Sequence, residues 1–354
     1  MSAPEIKIER QTRTGRVTFV ASILILAVAA SLPLWGSSNL MKTSVTFLTL
    51  LALAQMWNLL AGYGGLMSVG QQAFIGIGAY SLWVFADRLG LNPYLAVPLA
   101  GIIAMIIAVP TAGLVFRLRG GYFAVGTWVV AEAFMLLVIN IDRLGGGSGV
   151  SITSAGQIER ATREMVTYWL ALGVAAGSVA LVYFLLRSRR GLALTAIRDD
   201  QVGAQSLGVD VFRSKLWVYL LAAFGCGAIG AVIYLDLLRV QPEAAFSVRW
   251  SALMIFTVVI GGVGTIEGPI IGAIIFFGLQ QLLADYGSWY LILIGGIAAV
   301  VTVWARRGLW GYIARRWSID LFPVRRRLRW DEESGAGESR EEIPAGDVPA
   351  DGGA

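Results

Sequence analysis

Histidine and cysteine, two side chains that often catalyse reactions or bind metals, are nearly absent from this sequence. Its 354 residues include no histidine, and Cys226, the one cysteine, stands inside an apolar run. Counting therefore excludes disulfide frameworks and Cys/His metal sites. The motifs Gly-x-Ser-x-Gly, His-Glu-x-x-His and Gly-x-x-x-x-Gly-Lys-Ser/Thr are also missing. We predict no catalytic residue, no metal site and no bound cofactor, and thus neither an enzyme nor a self-contained ATPase.

A few polar side chains interrupt apolar stretches and are the candidates for contact with a solute. They are Ser68, Gln71 and Gln72, with Gly76 beside them, and Glu132 further along the chain. Such groups are costly in lipid unless they are paired or face a wet path. For the amides, hydrogen bonding between helices is an equal alternative. Glu132 fits either proton coupling or a structural pairing with a buried arginine, an amide or a helix end.

Membrane helices are the elements that must position these residues. Hydrophobic residues make up 56% of the chain, charged residues 14%, and the mean hydropathy is +0.69. Because about 20 apolar residues cross a bilayer, we predict an all-α polytopic membrane protein with ten spans: 17–35, 43–61, 67–86, 94–116, 121–141, 165–186, 215–238, 250–263, 268–284 and 288–305. The short 250–263 and the glycine-rich 67–86 are expected to be broken or re-entrant, so eight full spans would also fit.

The positions of the basic residues predict the orientation. Ten spans that start inside place all but seven of the 28 Lys and Arg residues on the cytoplasmic side, as the positive-inside rule requires. Both termini are then cytoplasmic, the loop 187–214 is inside and 142–164 is outside. The charges beside the spans indicate topology and lipid contact rather than nucleic-acid binding.

The composition divides the chain into four parts. Residues 1–16 form a basic cytoplasmic N-terminus, and 17–305 form the transmembrane domain. Residues 306–330 are a basic juxtamembrane segment, expected to contact anionic lipid. The acidic tail 331–354 has no apolar face, and we predict that it is disordered.

The cytoplasmic loop 187–214 carries the most informative pattern. Within it, residues 191–210 mix small, apolar and charged side chains in a way that predicts an amphipathic helix, a turn and a second helix at the membrane surface. Such a unit can dock on a soluble partner. The residues we assign to this contact are Ala196, Ile197, Arg198, Asp199, Asp200, Ala204, Leu207 and Gly208.

The segment GLALTAIRDDQVGAQSLGVDVFRSKL, which begins at Gly191, resembles the cytoplasmic loop of permease subunits of the high-affinity branched-chain amino acid ABC transporter family. Four more segments resemble family motifs in the same order. They are WNLLAGYGGLMSVGQQAFIGIGAY, LRGGYFAVGTWVVAEAF with the later GGGSG, QPEAAFSVRWSALMIFTVVIGGVGTIEGPIIGA and RRGLWG. The resemblance covers about residues 43–311.

This resemblance implies a permease subunit of the bacterial-type inner membrane that performs no covalent chemistry. Its partners would be a second, homologous permease subunit, two ATPase subunits that use ATP and receive the loop, and an external solute-binding protein. The solute would be a branched-chain amino acid or a similar small molecule, with urea, short amides and aromatic acids as alternatives within the family. A secondary transporter with Glu132 as an ion site is the rival interpretation, but it leaves the amphipathic loop unexplained.

Glycine clusters mark where helices break or pack closely. We assign this role to Gly62, Gly64, Gly65, Gly78, Gly261, Gly262, Gly264 and Gly268.

Overall fold

The chain folds into a bundle of helices, as its composition predicts. The computed structural model describes residues 6–9, 13–283, 292–293, 295–297, 299–300, 308–317, 321 and 327–330. Its helices are α1 (Arg13–Trp35), α2 (Ser38–Asn58), α3 (Gln72–Trp83), α4 (Pro93–Val115), α5 (Gly121–Ile139), α6 (Thr153–Gly156), α7 (Arg160–Arg187), α8 (Arg189–Asp199), α9 (Gln201–Ser206), α10 (Val211–Leu237), α11 (Pro242–Ala245), α12 (Val248–Gly261), α13 (Glu267–Leu282) and α14 (Gly308–Trp317). The π-helical turns Leu59–Tyr63 and Val84–Arg88 extend α2 and α3. The prediction of an all-α polytopic membrane protein is confirmed.

Strands are few and short in the described residues. β1 (Ile6–Glu9) pairs antiparallel with β4 (Arg327–Trp330), and β2 (Val150–Ser151) pairs antiparallel with β3 (Arg239–Val240). The second pair joins the chain before α6 to the chain after α10.

Six helices of the described chain are long and apolar enough to cross a membrane. They cover Ser38–Tyr63, Pro93–Val115, Gly121–Ile139, Arg160–Arg187, Val211–Leu237 and Pro242–Gly261, and two shorter apolar helices cover Val20–Trp35 and Glu267–Leu282. The predicted span 67–86 is broken: the chain is not helical from 65 to 71, and α3 begins at Gln72. Most of the predicted span 288–305, and the whole tail 331–354, lie outside the described residues.

Helix α10 forms the centre of the bundle because small residues let its neighbours approach closely. An added Cβ at Gly78 in α3 would overlap the main chain of Gly227, and one at Gly230 would overlap the main chain of Ile75. On the α4 side, Gly101 lies against Phe224. In a membrane the lipid tails are as apolar as the helix surfaces, so the hydrophobic effect does not drive helices together. Close backbone-to-backbone packing of this kind supplies the attraction instead.

Helix α1 docks on α7 through a carbonyl that proline leaves free. Pro33 has no N–H, so the carbonyl of Ala29 has no helical donor four residues later. Tyr168 of α7 donates its hydroxyl proton to this carbonyl at 2.6 Å, and Trp169 donates to Ala30 at 3.2 Å. Pro33 thus creates the acceptor that attaches α1.

Contacts between distant segments define two ends of the bundle. At one end, which we call the loop end, α8 and α9 project between α7 and α10, and Phe116 at the end of α4 meets Phe212 at the start of α10. At the opposite end, which we call the far end, Glu164 of α7 pairs with Lys42 of α2 at 3.4 Å. The segments assigned to opposite sides by the basic residues therefore lie at opposite ends.

The segment 142–159 folds against the far end, where Asp87 caps α6. Its carboxylate accepts hydrogen bonds from the main-chain N–H and hydroxyl groups of both Thr153 and Ser154. Burial by itself would raise the pKa of Asp87, but these hydrogen bonds outweigh it and lower the pKa below the ordinary 3.8. The stretch predicted to be external, 142–164, is shorter than expected because α7 already begins at Arg160.

Candidate functional site

The polar side chains predicted at membrane depth form a buried layer where the non-helical segment 65–71 meets α3. Ser68, Gln71 and Gln72 are at most 1% exposed. Gln71 accepts from the Cys226 thiol at 3.5 Å and donates to the Ser68 hydroxyl at 3.5 Å. Gln72 accepts from the hydroxyl of Ser251 in α12. The layer therefore connects α3, α10 and α12.

Neighbouring helices satisfy the main chain of the broken segment. The Trp57 indole of α2 donates to the Ser68 carbonyl at 2.8 Å, and the Val69 N–H donates to the Thr127 hydroxyl of α5 at 3.1 Å. An added Cβ at Gly70 would overlap the main chain of Thr127. Non-helical backbone inside a bilayer is tolerated only where protein covers it, as here, or where it lines a water-filled cavity. Sequence reasoning missed Trp57 and Thr127 as parts of this site.

These contacts supply the interhelical hydrogen bonds that were the alternative to solute contact. Gly76 lies against the ring of Phe246, which an added Cβ would overlap. Among the described residues, the Gln72 side-chain nitrogen is buried and has no hydrogen-bond partner. Solute contact by Ser68, Gln71, Gln72 or Gly76 stays a prediction.

Glu132 lies on α5. This helix is the least buried of the six candidate spans, since only 17% of its most apolar stretch is buried in the bundle. Helix α5 turns Phe123, Thr127 and Ala131 inward. Glu132 is half-buried at the edge of this inner face, and its carboxylate accepts from the Trp128 indole N–H at 3.0 Å. Among the described residues its hydrogen-bond partner is thus an indole of its own helix, and a role of Glu132 in a translocation path stays a prediction.

The loop predicted to be cytoplasmic, 187–214, forms two helices, as the pattern predicts. Asp200 ends α8 and caps α9 by accepting from the Val202 N–H at 2.9 Å. Inside the unit, Ile197 and Ala204 pack with Val211, and Ala196 is partly buried beside them. Leu207 lies outside this cluster and is 83% exposed, and Val202 is also exposed. Gly208 ends the unit with a φ of +83°.

The charged residues Arg198, Asp199 and Asp200 are all exposed, but they differ in what they contact. Arg198 reaches the main bundle, where its guanidinium donates to the Gly62 carbonyl at the end of α2, at 3.3 Å. The loop is therefore attached to a part of the bundle far from it in sequence.

Two amides of α2 hold the turn between α12 and α13, and sequence reasoning missed both. Asn58 donates to the Thr265 carbonyl at 2.7 Å and accepts from the Gly264 N–H at 2.8 Å. Gln55 donates to the Ile266 carbonyl at 2.7 Å. Both amides are fully buried. Their spacing of three residues inside an apolar helix is the signal that would have found them.

The glycines predicted to break or pack helices gather near this turn, except Gly78, which packs α3 against α10. Added Cβ atoms at Gly62 and Gly64 would meet Asn58 and the Leu60 carbonyl, and Gly65 has a φ of +66°. In the hairpin of α12 and α13, an added Cβ at Gly261 would overlap the main chain of Gly268, and one at Gly268 would overlap the main chain of Gly262. Close approach of α12 to α13 depends on these positions.

The family model for the branched-chain amino acid transport system / permease component matches residues 39–304. The chain belongs to this family. It is therefore a multi-pass membrane permease subunit of the ABC transporter type. The matched region contains the buried polar layer, α5, the two-helix loop and the turn between α12 and α13.

Individual relatives agree with this assignment. The chain is 27% identical, over 82% of its length and 74% of theirs, to the high-affinity branched-chain amino acid transport system permease proteins LivM of Salmonella typhimurium and Escherichia coli. The nucleoside ABC transporter permease protein NupC of Lactococcus lactis is 28% identical over 48% of this chain and 59% of its own. No solved structure matches the chain.

Proposed function

We propose that this permease subunit carries branched-chain amino acids, or amino-acid-like solutes of similar size, across the inner membrane. It does so with a second, homologous permease subunit, two ATPase subunits that hydrolyse ATP and an external solute-binding protein. This chain itself binds no cofactor. The loop end and both termini face the cytoplasm in this proposal.

The observation that carries the proposal is the two-helix unit of α8 and α9. It keeps a small apolar cluster inside and exposes the apolar side chains of Leu192, Val202 and Leu207. These side chains lie at the arginine-rich loop end, which this proposal places in the cytoplasm and outside the lipid tails. Exposed apolar groups within a polar surface fit a protein partner, and the ATPase subunit is the partner that this transporter type requires.

The solute class is supported by the relatives and by the chemistry of the interior. The LivM proteins align over most of this chain. The buried layer offers amides, hydroxyls and a thiol from Gln71, Gln72, Ser68, Ser251 and Cys226. None of these groups carries a fixed charge. A small zwitterion can therefore form hydrogen bonds with them without being held by an opposite charge. Urea, short amides and aromatic acids are the competing solutes within the family.

The exposed face of α5 is the surface we assign to the second permease subunit and the solute path between the two. Trp128, Val129 and Leu136 are exposed on this helix, beside the half-buried Glu132. An acidic side chain at the bilayer centre costs about 2.5–3.5 kcal/mol on insertion scales. Lipid is therefore a poor neighbour for this face, and a protein or water neighbour is expected.

Uptake in proteoliposomes tests the proposal. The complete transporter should accumulate labelled leucine only with ATP inside, and unlabelled isoleucine and valine should compete. An ATPase subunit with a disabled catalytic residue is the matched control. Competition by urea or an aromatic acid, but not by valine, would reassign the solute. Uptake without ATP that an ionophore abolishes would instead indicate a secondary transporter.

A further inference from the structure

Arg198 lies at the last turn of α8 and reaches the C-terminal end of α2. Its guanidinium donates to the Gly62 carbonyl at 3.3 Å, across 136 positions of sequence. Gly62 belongs to the π-helical turn Leu59–Tyr63, which is the last helical turn before the chain becomes irregular. Carbonyls at a helix C-terminus lack helical donors and carry the negative end of the dipole. A cationic donor is therefore well matched to this position.

The guanidinium also contacts the turn between α12 and α13. A Cβ added to Gly264 would lie 2.6 Å from the Arg198 Nη1 and 3.2 Å from the Gly62 carbonyl oxygen. Gly264 has a φ of +77°, a conformation that glycine adopts without strain. The end of α2 and the turn between α12 and α13 thus meet at the Arg198 guanidinium, and a larger residue at Gly264 would displace that guanidinium and strain the main chain.

Helix α2 and this turn behave as one unit. The hydrogen bonds of Asn58 to Gly264 and Thr265, and of Gln55 to Ile266, attach the turn to α2. All three side-chain bonds that start or end on these amides are 2.7–2.8 Å long. A displacement of the turn is therefore transmitted to α2, and through the Trp57 indole to the broken segment at Ser68.

Other polar contacts of the two-helix unit stay close in sequence. Lys215 donates to Gln201 at 2.9 Å, and Arg190 stacks on Trp217 at 4.6 Å. These contacts attach the unit to α10, which follows it directly. Within the described residues, Arg198 supplies the hydrogen bond that connects the unit to α2.

We propose that Arg198 is a positioning residue that couples movement of α8 to α2 and to the turn between α12 and α13. It acts inside this chain and is not a docking contact for the ATPase subunit. The inference rests on the proposed function, because movement of α8 requires an ATPase subunit bound to it. When that subunit moves α8, the guanidinium moves the end of α2 and the Asn58-bound turn, which border the buried polar layer.

A first experiment measures the connection in the isolated permease subunit, independently of transport. Spin labels at Ser206→Cys in α9 and Val263→Cys in the turn, in a Cys226→Ala background, report the distance between the unit and the turn. Both labelled positions are exposed. The distance distribution should broaden at least twofold in Arg198→Gln. It should stay narrow in Arg189→Gln, a matched loss of charge at the exposed start of α8. Equal widths in the two variants would overturn the proposal.

A second experiment uses the assembled transporter and three readouts: retention of the ATPase subunits, basal ATPase activity, and solute transported per ATP. Arg198→Gln should keep the first two within twofold of wild type and lose at least fivefold in the third. Arg198→Lys should recover part of that loss, and Arg189→Gln should match wild type.

Two outcomes of the second experiment contradict the proposal. Loss of the ATPase subunits in Arg198→Gln would make Arg198 a docking contact. Wild-type transport per ATP in Arg198→Gln would remove it from coupling. If neither wild type nor any variant transports solute with ATP, the proposed function fails. The spin-label distances still test the connection between the two-helix unit and the turn.

Discussion

Replacing Gly78 by alanine should destabilise the subunit, although alanine is the better helix former. The added Cβ would lie 2.6 Å from the carbonyl carbon and 2.7 Å from the Cα of Gly227. Carbon atoms pack best at about 3.5–4.0 Å, so α3 and α10 would have to separate by roughly 1 Å. Because the neighbouring atoms are main chain, no rotamer change relieves the contact.

The magnitude follows from two opposing effects. Alanine in place of glycine gains about 1 kcal/mol of helix propensity, and overpacking costs about 1–3 kcal/mol or somewhat more where the backbone cannot yield. A net loss of about 2 kcal/mol is expected. Gly173→Ala in α7 is the matched control, since an added Cβ there has no neighbour within 4 Å. It should gain about 1 kcal/mol by propensity alone.

Unfolding of the purified subunit by SDS titration in detergent, followed by tryptophan fluorescence, measures both variants. The difference between them should be about 3 kcal/mol. Leucine uptake should also fall in Gly78→Ala, because α3 begins with Gln72 and its displacement stretches the bond from Ser251. A Gly78→Ala subunit as stable as Gly173→Ala would refute close backbone packing at this position.

Three further predictions test the far end, the turn and the orientation. Asp87→Ala should cost about 1 kcal/mol by loss of the cap, measured in the same titration. The pKa of Asp87 in the folded chain lies below the ordinary 3.8. The stabilisation by the cap is therefore fully present above pH 3.8 and is lost only as the pH falls through the folded pKa. The stabilities of wild type and variant should converge only in strong acid. Asn58→Ala should cost about 2 kcal/mol of stability by leaving the turn without its amide partner. Asn140 is an exposed amide bonded to its own helix, and Asn140→Ala should be nearly neutral. Equal losses in the two variants would contradict the role of Asn58. Single cysteines at Gln157 and Ser206, both exposed, should react with impermeant reagents from opposite sides of the membrane, and labelling from one side would show that the span count is wrong.

The sequence was sufficient for the features that depend on neighbouring residues. Hydrophobic runs of membrane length predicted the bundle, and the glycines of 67–86 predicted that this span is broken. The small apolar and charged mixture of 191–210 predicted two short helices, which are α8 and α9. Motif order identified the family that the match of residues 39–304 confirms. Each of these signals is local, because lipid or water imposes its requirement on every segment separately.

Contacts between distant segments were decided only by the tertiary structure. The bond from Arg198 to Gly62 spans 136 positions, and that from Gln55 to Ile266 spans 211. Charge alone placed Arg198 among surface residues of the loop, since the sequence does not show that a helix end lies within its reach. Likewise, the polarity of Gln71 indicated a paired or wet environment but not the Cys226 thiol that it meets. A polar side chain in a membrane needs a partner, and the packing of the helices determines which partner it finds.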